Sequence, residues 1–403
     1  MKPEHKKTCQ QYLTKYSQAI DLITFPGSCC WDHVLIIPVC GESPEFLSQV
    51  CVNQMHASVL IIVILNRPSN HEKSEQWKLQ NQKILTYFTQ EYPQQIPIYK
   101  EHVLYRCGKL PDVLLLDFND APFESKKGVG LARKIAADTA LSLWYKGVIT
   151  QPWIFSTDAD VVLPQGYFQS VSQITHGCSA LSLNFKHYSN QIDALALQSQ
   201  YDFKLRYYQA SLKFMGVNYD YIPLGSTLVI HVIAYAQVRG FPCRSGGEDF
   251  YILNKLAKVG RIEQPDAPVV NIKIRFSDRV PFGTGPAVTQ LQQQAKQGEA
   301  VCYYHPRVFH ILKAWRTSLL GFYSHKSVPD DSYGLNGFWS IDSVLEKGIK
   351  QINSQLRWQQ FIHEWFDAFK ILKSVHFLRN EFKSLTADEL QASDFYIDIS
   401  DYY

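Results

Sequence analysis

Three short apolar runs constrain the fold more than any other feature of the chain. They are VLIIPV from Val34 to Val39, VLIIVIL from Val59 to Leu65 and VLLLDF from Val113 to Phe118. Each is far shorter than the roughly 18–20 apolar residues of a membrane span. None alternates with polar residues, which is the pattern of a strand buried on both faces. GESPEFLSQVCVNQM lies between the first two, with Ser43 suited to cap a helix and Pro44 suited to its first position. Strand, helix and strand in so short a space form a βαβ unit, which forces a parallel pair. A polar helix is expected from about Glu72 to Phe88. GVGLARKIAADTALSLWYKG reads as another, with a turn at Gly128 and Gly130 and a stop at Gly147. Trp153–Ser156 reads as a fourth strand. The alternation predicts an α/β fold with a mostly parallel sheet flanked by helices.

Strands are also expected at Ala180–Phe185, at Ser226–Val232 and in PVVNIKI. IDALALQSQYDFKLRYYQASLKFM reads as a long amphipathic helix, and GGEDFYILNKLAKVG as a helix bounded by glycines. From about Gly298 the chain is helical and aromatic-rich. Trp358, Phe361, Trp365 and Phe369 are spaced as one helix face, which reads as core. The acidic end, TADELQASDFYIDISDYY, reads as a surface tail. These shifts divide the chain into a helical extension over 1–30, an α/β domain over 31–298 and a helical region over 299–403. At 46% hydrophobic residues the 403-residue chain has ample material for a core. A net charge of +3 gives no electrostatic case for a nucleic-acid partner. The cysteines number nine, form no CxxC and fall partly in apolar runs, which suggests reduced, mostly core residues of a cytoplasmic protein. The first residues carry no apolar segment of the signal-peptide kind. No full GxGxxG or GxxxxGK[ST] occurs, which counts against dinucleotide and P-loop chemistry.

Chemistry enters at WIFSTDADVVLP, where a buried-strand pattern runs into Asp158 and Asp160. Open α/β sheets bind ligands at the carboxyl ends of their strands. In an extended chain, residues two apart point to one side. Two carboxylates so placed repel each other, and a divalent cation removes that cost. Mg²⁺ and Mn²⁺ take carboxylates together with substrate phosphates, so the pair suggests metal-bridged diphosphate binding. The plainer alternative is a solvated turn in which both aspartates cap local amides. In SGGED, Glu248 and Asp249 open a helix behind two glycines. A carboxylate there can reach an acceptor hydroxyl as a general base, or can simply favour the helix dipole.

VLIIPVCGE, STDADVVLP and GGEDFYILNKL, in this order, resemble the GT-A glycosyltransferases, most closely the family-two type whose first strand reads like IIPxYNE. The Gly-Gly-Glu-Asp element is also similar to that of galactosyltransferase-type enzymes. The resemblance covers roughly Asp32 to Gly260. It implies a Rossmann-like GT-A domain that binds a nucleotide-diphosphate-sugar, with Asp158 on the donor, Asp158 and Asp160 as the DXD metal pair, and Asp160 as the direct ligand of Mn²⁺ or Mg²⁺. It also implies Asp249 as general base and Glu248 as acceptor partner, with a single displacement that inverts the anomeric carbon. Pro38 and Glu42 would border the base or ribose. The family's DDxS is LNRPSN here, so Asn66 replaces its acid and Arg67 follows. Arg67 otherwise reads as a surface-loop arginine. KKGVGLARKIAADTA is similar to the family's GxxxARNxG helix, where Lys127 and Arg133 would neutralise phosphate or form a solvated basic face. His305 and His310 are the nearby options for a third metal ligand.

RFSDRVPFGTGPAV reads as a connecting loop, or as a lid that brings Arg275 or Arg279 onto phosphate. The resemblance implies a nucleotide-sugar donor and an acceptor that would be a saccharide, a lipid-linked molecule or a protein, with peripheral membrane contact compatible with the absence of a spanning segment. Two rivals have other chemistry. A nucleotidyltransferase of related fold would carry a GxGTRL-like loop where this chain has VCGESPEF. A non-catalytic nucleotide-sugar-binding protein would have lost the aspartate pair or the acidic helix start, and both remain.

Overall fold

The computed structural model describes residues 2–20, 25–26, 29–53, 58–172, 174–189, 192–274 and 284–398. Its strands are β1 (His33–Val39), β2 (Val59–Leu65), β3 (Gln94–Tyr99), β4 (His102–Arg106), β5 (Asp112–Asp117), β6 (Trp153–Ser156), β7 (Val161–Val162), β8 (Cys178–Ser182), β9 (Phe185–Tyr188), β10 (Leu228–His231), β11 (Arg261–Glu263) and β12 (Val270–Lys273). Its helices are α1 (Pro3–Lys15), α2 (Phe46–Val50), α3 (Ser74–Glu91), α4 (Gly128–Tyr145), α5 (Ile192–Phe214), α6 (Val232–Gln237), α7 (Glu248–Leu256), α8 (Thr284–Lys296), α9 (Pro306–His325), α10 (Leu335–Trp339), α11 (Ile341–Gln351), α12 (Gln355–Trp365), α13 (Ala368–Leu378) and α14 (Ala387–Gln391). The chain forms two compact units, Met1–Ala196 with Pro223–Thr289, and Leu197–Ile222 with Gln290–Tyr403.

The first unit is built on a nine-stranded sheet in the order β11-β8-β10-β6-β1-β2-β5-β4-β3. Its centre, β6-β1-β2-β5, is parallel, with Ile36 opposite both Ile62 and Ser156. All seven residues of β2 are buried, as its unbroken apolar run requires. β10 runs antiparallel between β6 and β8. The β3–β4 hairpin forms one antiparallel edge, which the sequence reading lacks because QQIPIY is too polar for a core strand. Pro97 sits on that edge strand, the place in a sheet where proline is tolerated. A smaller sheet has the order β7-β12-β9. From β1 the chain builds outward through β2 and β5, then returns to add β6 on the other side of β1. The order of strand addition therefore switches sides between β1 and β6, and the carboxyl ends of those parallel strands flank the crevice such sheets use. α2 starts at Phe46 with Glu45 as its cap residue, so Ser43 and Pro44 precede the helix rather than open it.

α4 packs on β1, β2 and β6, and α1 packs on α4 and α6. The α1–α4 contact is polar at its heart. Asp138 is fully buried and accepts hydrogen bonds from the Tyr12 hydroxyl, from the Tyr235 hydroxyl at 2.7 Å and from the Gln18 amide at 2.6 Å. Lys134, one turn earlier, lies 3.1 Å from Asp138 and donates to the Tyr12 hydroxyl at 2.7 Å. Burial first, and then the Asp138 charge, push the Tyr12 hydroxyl well above its ordinary pKa. Gly240 admits both tyrosines, because a Cβ there would stand 2.3 Å from the Tyr12 hydroxyl.

The second unit holds most of α5 together with α9–α14. Trp358 is fully buried among the rings of Phe322, Tyr323 and Phe361, and its indole N–H donates to the Leu319 carbonyl at 2.8 Å. Gly348 makes room, since a Cβ there would lie 2.6 Å from the indole. Phe369, on the same predicted stripe, is exposed. The acidic end is more than a surface tail. Thr386 and Glu389 form a capping box for α14, and Leu390 and Ile397 are buried. All nine cysteines are free, with Cys9, Cys29 and Cys51 buried and Cys30 and Cys302 exposed, so the thiols are less confined to the core than the apolar runs suggested. Among the described residues, no helix is long and apolar enough to cross a membrane.

Removing one partner from a buried charge pair typically costs about 3–5 kcal/mol. Asp138→Ala is therefore expected to lower unfolding stability by about that amount, and Tyr12→Phe by about 1–3 kcal/mol. Urea unfolding followed by circular dichroism measures both, and unchanged midpoints would refute the account of the α1–α4 contact.

Candidate functional site

The site forms where β6 ends. Thr157 donates its amide to the Ile36 carbonyl at 3.1 Å, which keeps the chain on the sheet for one more residue. The Ser156 and Thr157 hydroxyls donate to the Gly225 and Ser226 carbonyls, both at 3.1 Å. The chain then turns at Ala159 and Asp160. The two aspartates thus lie on a turn and not on a pleated strand, so the pleat does not set their relative direction. β12 fixes the far side, with the Lys273 amide donating to the Asp160 carbonyl at 2.9 Å. Tyr188, at the end of β9, has its hydroxyl pushed above the ordinary range by burial first and then by the Asp160 carboxylate.

α4 and α7 supply the rest. The Gly130 amide donates to the Arg244 carbonyl at 2.9 Å. A Cβ at Gly130 would stand 2.4 Å from the Pro242 carbonyl oxygen, and one at Gly128 would stand 2.9 Å from Ser245 Cα. The glycines of KKGVG therefore let α4 meet the segment before α7 backbone to backbone. Gly247, at φ 71°, turns the chain into α7. This contact brings Arg133 of α4 to Glu248 of α7. Arg133 Nε donates to Glu248 Oε1 at 3.0 Å, and Nη2 donates to Asp158 Oδ1 at 2.7 Å. Arg133 and Glu248 are buried, and Asp158 keeps about a third of its side chain exposed at 32%. Asp249 is half-buried and accepts a bond from the Phe250 amide at 2.7 Å.

Two carboxylates thus pair with one guanidinium and a third, Asp249, lies within its electrostatic reach. Burial first, and then Asp249, push the Glu248 carboxyl up to about 7 against the pull of Arg133. Burial also raises Asp249, opposed by the Phe250 amide and by Arg133.

The remaining sequence candidates distribute as follows. Lys127 pairs with Glu124 at 2.6 Å, with both side chains largely exposed. Pro38 and Glu42 lie at the carboxyl end of β1, on either side of a turn at Gly41, φ 63°. Arg67 is not a surface residue. It is buried, donates to the Asn119 carbonyl at 3.0 Å, and lies 3.4 Å from Glu75. Asn66 is buried beside it. Arg275 and Arg279 lie outside the described residues. His305 and His310 belong to the second unit, where His305 caps α9 through the Arg307 amide at 3.1 Å and His310 pairs with the Phe395 carbonyl at 3.2 Å.

Asn81 is a residue that sequence reasoning missed. It is fully buried, accepts from the Gly41 amide at 2.9 Å, and donates to the Asn66 carbonyl and to Asn119 Oδ1, each at 3.1 Å. One amide side chain therefore fixes the loops that leave β1 and β2. Its signal is positional: 77, 81, 84 and 88 form the apolar face of α3, and an asparagine there must bond to something buried. A cavity of about 710 Å³ between Gln165–Ser172 and Glu263–Pro268 contains none of the site carboxylates.

No family model and no curated protein matches the chain. Among solved structures it is similar to a mannosyltransferase, PcManGT from Pyrobaculum calidifontis, in complex with GDP-Man and Mn²⁺, at 12% identity over 94% of each chain with a TM-score of 0.36. At that score the likeness decides nothing about the site, and the chemistry rests on the residues above.

The Glu248 carboxyl sets a sign for pH dependence. Its folded pKa of about 7 lies above the ordinary 4.5, so its stabilising contribution is complete below pH 4.5 and is lost as pH rises through 7. Glu248→Gln keeps an oxygen for Arg133 and removes the titration. Urea midpoints of the variant are expected to fall less between pH 4.5 and 8 than those of the unsubstituted protein. Parallel curves would show that Glu248 does not titrate in this window.

Proposed function

We propose that this chain is a metal-dependent glycosyltransferase of the GT-A kind, which moves a sugar from a nucleoside-diphosphate-sugar to an acceptor hydroxyl. The observation that carries the reading is the ion-pair chain Asp158–Arg133–Glu248 at the end of β6, where the strand order switches sides. It joins the aspartate pair after β6 to the acidic start of α7, two elements that the resemblance assigns to donor and acceptor.

The donor set fits a hard divalent cation. Asp158 and Asp160 are both partly exposed carboxylates. Among the described residues no group of three or more His, Cys, Asp or Glu side chains stands ready for a metal. Two carboxylates, completed by water and diphosphate oxygens, are an ordinary environment for Mg²⁺ or Mn²⁺. Asp158 gives Oδ1 to Arg133, and the resemblance makes Asp160 the direct ligand. A bound cation would stabilise the departing nucleoside diphosphate as a Lewis acid. Asp249 would take the proton of the attacking hydroxyl as the new glycosidic bond forms and the anomeric carbon–phosphate oxygen bond breaks, with inversion. Glu248, held by Arg133, would orient the acceptor.

Purified protein with UDP-, GDP-, dTDP- and CMP-sugars, in Mn²⁺, in Mg²⁺ and in EDTA, tests the reading. Metal-dependent release of the nucleotide is expected, reduced about a hundredfold or more by Asp160→Asn. Release that survives both EDTA and the substitution would refute it. Pyrophosphate release from a nucleoside triphosphate and a sugar phosphate would favour nucleotidyl transfer instead.

The base assignment has its own test. Asp249→Asn is expected to lower kcat by about 10²–10⁴-fold while metal–nucleotide affinity, read by calorimetry, stays near its original value. An unchanged kcat would remove Asp249 from that role.

A further inference from the structure

An arginine buried at 3% exposure is costly unless its donors are matched. Arg133 spends Nη2 on Asp158 and Nε on Glu248, while Nη1 is buried with no hydrogen-bond partner among the described residues. The guanidinium also has to pass the backbone at Gly225. A Cβ there would lie 2.1 Å from Nη2, 2.7 Å from Cζ and 2.9 Å from Nε. Any residue but glycine would occupy the place of the guanidinium itself. Gly225 is not at a positive φ, so backbone freedom does not explain it and close approach does. The same short segment is bonded to Ser156 and Thr157, so the passage is fixed to the end of β6.

We propose that Arg133 is the positioning residue of this site, a rigid strut that sets the distance and charge balance between donor-side Asp158 and acceptor-side Glu248, with Gly225 as the opening it passes through. This rests on the glycosyl-transfer reading and assigns Arg133 a different task from neutralising phosphate. Guanidinium suits a strut because it is planar, permanently charged and presents its donors in a fixed fork, whereas a lysine ammonium meets two acceptors only by bending a flexible stem. The strut has a directional consequence. When Glu248 loses its charge, Arg133 is left to Asp158 alone and competes harder with a cation for that carboxylate. The effect passes through Arg133 and vanishes without it.

The test is a double-mutant cycle read by binding rather than turnover. Calorimetry of Mn²⁺ with UDP and of Mn²⁺ with GDP is run on the full chain and on Glu248→Gln, Arg133→Met and the double variant, with thermal unfolding as the check of folding. Glu248→Gln is expected to weaken metal–nucleotide binding about fivefold or more, and to change it less than about twofold in the Arg133→Met background. Gly225→Ala leaves every charge in place and pushes the guanidinium aside. It is expected to weaken binding comparably and to abolish the Glu248 effect. If Arg133→Met does not fold, Arg133→Lys takes its place in the cycle, since it retains the charge and loses the fork. Additive effects, or a folded Gly225→Ala variant with the original affinity, would overturn the strut while leaving the glycosyl-transfer reading intact. No metal–nucleotide binding by the unsubstituted chain would overturn that reading and the strut with it.

Discussion

A guanidinium buried in the first unit has few ways to be stable, and the arrangement around Arg133 follows from that constraint. Without partners such a charge costs several kcal/mol. Asp158 and Glu248 supply partners from two elements far apart in sequence, 25 residues after Arg133 and 115 residues after it. Bringing them together requires α4 to touch the segment before α7 without intervening side chains, which Gly128 and Gly130 permit. It also requires a clear passage beside the 3₁₀ turn Gly225–Thr227. Three positions without a Cβ and two acids thus serve one arginine. The local chain geometry is a condition of the ion pairs and not a consequence of them.

The charge count around this arginine bears on the chemistry. Asp158 and Glu248 pair with a single cation, and Asp249 adds a third carboxyl group within its field. Glu248, raised towards neutrality by burial and by Asp249, lowers the local negative charge in one way. A divalent cation beside Asp158 and Asp160 would lower it in another. A site that is over-supplied with acid and partly open on its Asp158 side is suited to a ligand that arrives with its own positive charge. The polar interior continues on the other side of α4, where Lys134 and Asp138 face α1. That second network is closed, since every group in it has a partner within the chain, and its role is to fix α1.

The sequence made the parallel centre of the sheet legible because β1, β2, β5 and β6 are buried through their middles and are almost wholly apolar there. The edges were less legible. β3 is the edge strand and pairs with β4 alone, so Gln94, Gln95 and Pro97 are compatible with it and erase its signature. In the site, the aspartates and the acidic helix start stood out as motifs. The use made of Arg133 did not, because a motif records residue types along the chain while an ion pair depends on the approach of distant backbones. Arg67 shows the same limit. Read in the chain it is a loop arginine, yet Asn119 and Ser74 fold over it and bury it. The aromatic stripe of α12 was legible at Trp358 and failed at Phe369, which lies in α13 beyond a helix break at Phe366, so the spacing no longer describes one face.

One signal in the sequence did bear on Arg133. From Ala132 to Leu141 every residue of α4 is buried, including Arg133, Lys134 and Asp138. Four of the ten residues in ARKIAADTAL are polar, so the run does not by itself announce burial, yet the fold buries all of them. Charges in such a helix must be paired. Lys134 and Asp138 are four residues apart and can serve each other. Arg133 has no acid at i+3 or i+4, where Ala136 and Ala137 stand, and none at i−3 or i−4, where Gly130 and Val129 stand. Its partners therefore had to come from elsewhere in the fold. The carboxylates available to a buried helix on a parallel sheet are those at the sheet's carboxyl edge and those that open the next packed helix, and these are the two that Arg133 takes.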